Sequence, residues 1–156
     1  MIRIHRIDAR IHVNVPLATA WAFFSDAANL GRITPPELGF AIATPQPIEM
    51  REGALIDYTI RLWGIPMRWR TRIAVWEPER RFVDEQLSGP YRSWVHTHSF
   101  TSVNGGTDIE DEVVYSLPFG VLGQLAAPLV RLQLARIFRY REAAVARLLA
   151  TPSVKA

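Results

Sequence analysis

The stretch from Gly89 to Phe100, GPYRSWVHTHSF, opens on a turn signal and then alternates. Trp94, His96, His98 and Phe100 share one face of a period-two pattern, and Ser93, Val95, Thr97 and Ser99 share the other. Period two predicts a β-strand. The same period recurs along much of the chain. In residues 2–14, Ile7, Ala9, Ile11 and Val13 oppose Arg6, Asp8, Arg10 and His12. ALIDYTIRLW sets Ile56, Tyr58, Ile60 and Leu62 on one face, and MRWRTRIAVW answers with Met67, Trp69, Thr71, Ile73 and Val75. The GIP segment at 64–66 is the predicted turn between them. FVDEQL and DIEDEVVYSL supply further strands, the second introduced by the hairpin signal VNGGT.

Two segments follow another rhythm. PLATAWAFFSDAANLGRI groups Ala20, Phe23 and Phe24 and is broken at Ser25–Asp26 and at Gly31, which predicts two short helices entered at Pro16. After PFG, the spacing of Leu122, Leu125, Leu129 and Leu132, continued by Ile137, Tyr140, Ala144 and Leu148, predicts one long C-terminal helix. Pro128 should kink it or mark where its regular part begins. The order is that of an α+β fold: a curved antiparallel meander whose inner face is covered by the long amphipathic helix.

The charges decide which strand faces are inner. Asp108, Glu110, Glu112 and Ser116 suit water, so Ile109, Asp111, Val113 and Tyr115 point inward. Ser93, Thr97 and Ser99 suit a solvated face, so Trp94, His96, His98 and Phe100 point inward as well. In FVDEQL the inner set is read as Phe82, Asp84 and Gln86. The inner face then carries Trp69, Trp94, Phe100 and Tyr115 around Asp84, Gln86, His96, His98 and Asp111. Burying so many polar groups is unfavourable unless they satisfy one another or a ligand. Apolar walls with a few convergent polar groups describe a ligand pocket.

Composition narrows the possibilities. A chain of 156 residues, 49% hydrophobic and 21% charged, fits one soluble domain, read as residues 1–150 with 151–156 as a flexible tail. The absence of cysteine excludes disulfides, thiolate metal sites and cysteine nucleophiles, and suits a cytoplasmic protein. The N-terminus mixes charges with apolar residues and resembles neither a signal peptide nor a membrane span. The most apolar run, FGVLGQLAAPLV, stops at Arg131 and reads as a core helix or an interfacial segment, without stable membrane insertion. A net charge of +3 is too small to imply nucleic acid, and the arginine ladder Arg68, Arg70 and Arg72 reads as a solvated strand face. No phosphate-binding glycine motif and no nucleophile elbow occur.

With these motifs the chain resembles the SRPBCC superfamily, which includes START lipid-transfer domains, polyketide cyclases and aromatases, and the birch-pollen-allergen proteins. FVDEQLSGPYRSWVHTHSF, GGTDIEDEVVYSLPFG and IFRYRE resemble a bacterial ligand-binding subfamily of that group. Its pattern F-x-D-x-Q, G-P-Y/F, W-x-H-x-H-x-F is kept at Phe82, Asp84, Gln86, Gly89, Pro90, Tyr91, Trp94, His96, His98 and Phe100. The resemblance implies a helix-grip fold, a seven-stranded sheet wrapped around the C-terminal helix with a cavity between them.

The functional expectation is binding of a small, largely apolar ligand, lipid-, polyketide- or aromatic-like, by a carrier or sensor. Its candidate contacts are Tyr58, Trp69, Asp84, Gln86, Trp94, His96, His98, Phe100, Asp111, Tyr115 and Tyr140. The alternative is a cyclase or dehydratase in which His96 or His98 works with Asp84 or Asp111 as acid and base. A metal bound by the histidine pair and a carboxylate suits the residue types, but no third histidine lies nearby. Neither a metal nor a cofactor is expected. The partner is a small hydrophobic or amphipathic molecule, and the sequence identifies no protein partner.

Overall fold

The computed structural model describes residues 2–150; the tail expected at 151–156 lies outside the described residues. Seven strands form one antiparallel sheet: β1 Ile4–Val13, β2 Ala41–Ile42, β3 Leu55–Leu62, β4 Ile65–Glu77, β5 Arg81–Ser88, β6 Ser93–Val103 and β7 Gly106–Ser116. The spatial order β1-β7-β6-β5-β4-β3-β2 is a meander in which β1 crosses over to pair with β7. Between β1 and β2 run α1, Leu17–Phe24, and two 3-10 helices, Ala27–Ile33 and Pro36–Leu38. The chain closes with α2, Gly120–Leu148, lying on the inner face of the sheet. This is a helix-grip fold.

Turn chemistry sets the meander. Asn104 and Gly105 hold φ of 51° and 77° between Val103 and Gly106, as a two-residue hairpin on a twisted sheet requires. The β3–β4 turn is also two residues, Trp63 and Gly64, with φ of 50° and 76°. It lies one residue earlier than the GIP reading, so Ile65 and Pro66 already belong to β4. Between β5 and β6 the Gln86 amide donates to the Tyr91 carbonyl at 2.7 Å and accepts from the Tyr91 N–H at 3.1 Å. A side chain on Gly89 would place its Cβ 2.7 Å from the Gln86 Oε1 atom, so it would displace the amide from these hydrogen bonds.

The faces sort largely as the alternation requires. Trp94, His96, His98, Phe100, Ile109, Asp111, Val113 and Tyr115 are buried. Asp108 and Ser116 differ: Asp108 is buried on the outer side between Arg10 and His12, at 2.5 and 2.6 Å, and Ser116 is buried with its hydroxyl 2.6 Å from that of Ser93. On β4 the inward series ends at Ile73. A register shift before Val75 brings Trp76, not Val75, onto the face opposite Phe82 and against Trp21. Of the arginine ladder, all exposed, Arg70 pairs with Asp57 and Arg72 with Glu85 across strands.

The long helix carries the largest correction. Of the residues that predict it, Leu122, Leu125, Leu129 and Leu132 are exposed, whereas Ile137, Tyr140 and Leu148 are partly buried and Ala144 is buried. Its buried stripe is Val130, Leu134, Phe138, Arg141 and Val145, at the same helical spacing on the opposite side. The helix begins ahead of Pro128 and continues through it, although proline has no N–H to offer the Gln124 carbonyl.

Phe100 sits at the centre of an aromatic core, 5.2 Å from Trp21, 5.4 Å from Phe24 and 6.1 Å from Phe82 between ring centroids. Packed on all sides, it should behave as a core residue. Phe100→Ala should cost about 3–5 kcal/mol in urea unfolding; a loss near 1 kcal/mol would show that the ring borders empty space.

Candidate functional site

Pairing across β5, β6 and β7 builds the site. Asp84 lies opposite His96, and His98 lies opposite Asp111. The hydrogen bonds take the diagonals instead. His98 Nε2 lies 2.6 Å from Asp84 Oδ2, and His96 Nε2 lies 2.8 Å from Asp111 Oδ1. The two imidazoles lean together until their centroids are 3.7 Å apart, and Phe82 stacks on the far side of His98 at 4.1 Å. From α2, Arg141 brings Nη2 to 3.3 Å from Asp111 Oδ1 and lays its guanidinium over the Phe24 ring at 5.4 Å.

The protonation states follow from the partners. His98 Nδ1 lies 3.2 Å from Asp111 Oδ1 and 3.3 Å from Arg141 Nη2. It cannot both donate to the first and accept from the second. Burial alone would lower the basicity of this ring, but hydrogen bonds to Asp111 and Asp84 outweigh that and hold His98 above the usual histidine range. His98 is therefore an imidazolium between two carboxylates, and Arg141 gives its hydrogen to Asp111. His96 goes the other way: burial and the neighbouring His98 charge hold it below the usual range, against its Asp111 hydrogen bond. It is neutral, with Nε2–H donated to Asp111 and Nδ1 left as an acceptor 3.8 Å from Asp84.

Both carboxyls are desolvated, which would raise them, yet both end below the usual range. The His98 hydrogen bond and the charges of His98 and Arg141 hold Asp84 down. Arg141, then hydrogen bonds from His96 and His98, hold Asp111 well down. Two carboxylates, one imidazolium and one guanidinium sum to zero, so the cluster is buried as a neutral unit.

This cluster forms one corner of a cavity of about 180 Å³ between the sheet and α2. Tyr58, Trp69 and Trp94 from the sheet and Leu134 and Phe138 from the helix provide apolar wall, and Asp84, His96, His98 and Arg141 the polar corner. Asp84 is the most accessible of the five charged or imidazole groups, with 20% of its side chain exposed. One further wall residue carries a buried polar atom without a hydrogen-bond partner among the described residues, the Trp69 indole N–H; the buried Thr71 hydroxyl on the same wall meets the Tyr58 hydroxyl. Asp84, His96 and His98 also offer three ligand atoms within 4.8 Å of one another, a spacing that could hold a metal ion. The Arg141 guanidinium beside them and the carboxylates already engaging the imidazoles oppose a further cation there.

Of the residues read from the sequence, Tyr58, Trp69, Asp84, Trp94, His96 and His98 meet at the cavity. Asp111 stands behind the histidines. Gln86 braces the β5–β6 turn, Phe100 lies in the aromatic core, and Tyr140 packs partly buried against that core. Tyr115, 1% exposed, is sealed behind the wall, stacked on His5 at 5.2 Å and edge-on to Tyr91 at 5.6 Å. Sequence reasoning missed Arg141, although an arginine three residues after Phe138 and seven after Leu134 falls on the helix's buried stripe. It also missed Tyr91, whose GPY motif the turn geometry explains but whose ring lines the cavity.

The sequence model of a family described as "Polyketide cyclase / dehydrase and lipid transport" matches residues 5–150. No match is found among curated proteins. Among solved structures, the Zhui aromatase/cyclase from Streptomyces sp. R1128 superposes with a TM-score of 0.75 at 16% identity, over 94% of each chain. A START superfamily protein from Mycobacterium smegmatis gives 0.69 at 14% identity, over 92% of this chain and 99% of that one. Ara h 8.0201 gives 0.61 at 16% identity, over 92% and 98%. At these identities the likeness is one of fold.

The charge states have a pH consequence. His98 is raised in the fold above its unfolded value of about 6.5, so its contribution is complete below that pH and is lost as pH rises through the folded value. The folded values of Asp84 and Asp111 lie below the usual carboxylate range, so their contributions stay complete there. Urea unfolding of the unchanged protein and of His98→Gln between about pH 6 and about pH 9 should show the stability gap shrinking towards the alkaline end. A gap that grows with pH would mean that the ring is neutral in the fold.

Proposed function

The chain belongs to the polyketide cyclase / dehydrase and lipid transport family, within the SRPBCC superfamily, and from that premise we propose that residues 1–150 are one ligand-binding domain acting as a carrier or sensor in the cytoplasm. Its ligand is a small, largely apolar molecule bearing an oxygen that accepts a hydrogen bond. The observation that carries this reading is an unpartnered buried polar atom, Trp69 Nε1, on a residue of an otherwise apolar wall. A buried polar atom without a partner costs about 1–3 kcal/mol, and a ligand oxygen removes that penalty. The volume supports at least a ring-sized occupant, since apolar cavities of roughly 150 Å³ hold benzene. Because the ionic corner is neutral, it attracts a hydroxyl or carbonyl rather than demanding a charged group. Asp84 and the free Nδ1 of His96 are the acceptors a ligand hydroxyl would meet.

A second reading rests on the same corner. An imidazolium and a neutral imidazole stacked 3.7 Å apart on the wall of a cavity are a proton donor and a proton acceptor, the equipment of a cyclase or dehydratase. The carrier reading is preferred because both His98 protons are already committed to carboxylates, which makes it a weak acid towards a ligand.

Native mass spectrometry of the protein purified without denaturation, with elemental analysis of the same sample, tests both readings. The expected result is a co-purified organic molecule, no stoichiometric zinc or iron, and no turnover. Trp69→Phe, which keeps the ring and removes the N–H, should weaken retention by on the order of tenfold, as the loss of one buried hydrogen bond implies. His98→Ala should also weaken binding if the protein is a carrier; if it is an enzyme, that variant should abolish turnover while binding persists. One metal ion per chain, lost on changing either histidine to Ala, would overturn the account.

A further inference from the structure

The face of α2 turned away from the sheet is apolar for its first three turns and has no partner among the described residues. Val121, Leu122, Leu125, Leu129 and Leu132, with Phe119 just ahead of the helix, are between 61% and 82% exposed. The same side of the helix then changes to arginine at Arg136, ion-paired to Glu37 at 2.6 Å, and at Arg139. Two observations place this stripe in a larger patch. The β3–β4 hairpin, the β5–β6 turn, the β7–α2 connection and the start of β1 all leave the same end of the meander. One core cluster joins Leu62, next to the hairpin tip, with Val130 and Leu134 of α2. At this end Trp63 and Ile65 on the hairpin, and Ile4 on β1, are exposed as well.

The turn residues are poorly chosen for any local purpose. Trp63 and Phe119 hold φ of 50° and 66°, positions that favour glycine or asparagine, and both present their rings to solvent. Neither backbone geometry nor solvation accounts for an aromatic side chain there. The charge distribution supplies the second half of the argument. Across 36–42, 58–76, 86–107 and 113–141, the segments that build this end, the one acidic residue is Glu37, ion-paired to Arg136, whereas arginine occurs there at exposed positions such as Arg61, Arg68, Arg92 and Arg131. Exposed aromatics and leucines rimmed by an excess of exposed arginines match the boundary of an anionic bilayer, where apolar side chains enter the acyl region and guanidinium groups meet lipid phosphates.

We propose that this end of the molecule docks on anionic membrane surfaces, with the first three turns of α2 lying in the plane of the interface. By length and composition α2 could cross a membrane, but its opposite stripe is packed on the sheet and Arg141 is tied to Asp111, so the contact is peripheral. The proposal stands whatever the cavity holds.

Co-sedimentation of the full chain with phosphatidylcholine vesicles, with and without phosphatidylglycerol, is the test, with the mass in solution measured by light scattering. The expected result is a monomer that binds the anionic vesicles, binds neutral ones more weakly and is released by salt. Leu125→Asp combined with Leu129→Asp should reduce binding by on the order of tenfold or more at an unchanged melting temperature. Trp63→Ser, on a separate element, should weaken it independently and serves if the double variant fails to fold. No sedimentation with anionic vesicles at low salt, binding indifferent to both sets of changes, or a dimer that the leucine changes dissociate would each overturn the proposal, the last by showing that a second copy covers the face.

Discussion

Four charges buried beneath a helix must cancel, and most of the architecture follows from how they do. Asp84, His98, Asp111 and Arg141 come from three strands and α2, and each is within hydrogen-bond or ion-pair distance of another. Removing one member would leave an uncompensated buried charge, which typically costs about 3–5 kcal/mol. The cluster therefore ties α2 to the sheet at one fixed point. The aromatic core around Trp21, Phe24 and Phe100 packs to one side of that point. On the other side, the sheet and helix stand apart far enough to leave a cavity. The histidines are there because strands place residues i and i+2 on one face, where two imidazoles can stack and reach carboxylates on both neighbouring strands.

The sheet was legible because its signals are local. Alternation identifies the inner faces of β6 and β7, and Asn104–Gly105 specifies its hairpin without help from the rest of the fold. Where sequence reasoning failed, a tertiary contact had overridden a local pattern. The register shift on β4 exchanges Val75 for Trp76, and no periodicity announces it. Gln86 falls on the inward face by alternation, yet its amide is recruited by the Tyr91 backbone. On α2 the densest hydrophobic stripe, Leu122 to Leu132, faces solvent, while the buried stripe contains an arginine. An amphipathic reading ranks faces by hydropathy and so assigns Arg141 to water. Only the carboxylate waiting on β7 makes its burial favourable.

That inversion changes what the helix is for. In most covering helices the apolar face meets the core and the polar face meets water. Here the two roles are divided along the length: the C-terminal half is the lid of the aromatic core and the ionic cluster, and the N-terminal half carries apolar surface on its outer side as well. A domain whose cavity suits an apolar molecule and whose rim suits a lipid interface has a coherent physical logic, since its ligand would be sparingly soluble in water. On the proposed carrier reading the neutral polar corner completes it, because it would orient an oxygen without requiring a charge to be desolvated on loading.

The central claim is the pairing of an imidazolium with a neutral imidazole inside an ionic cluster of zero net charge. Nitrogen-15 NMR of the histidine side chains at neutral pH tests it most directly. The account predicts that both His98 nitrogens carry protons, while His96 carries one proton, on Nε2, and none on Nδ1. Two neutral rings, or a protonated His96 beside a neutral His98, would contradict it.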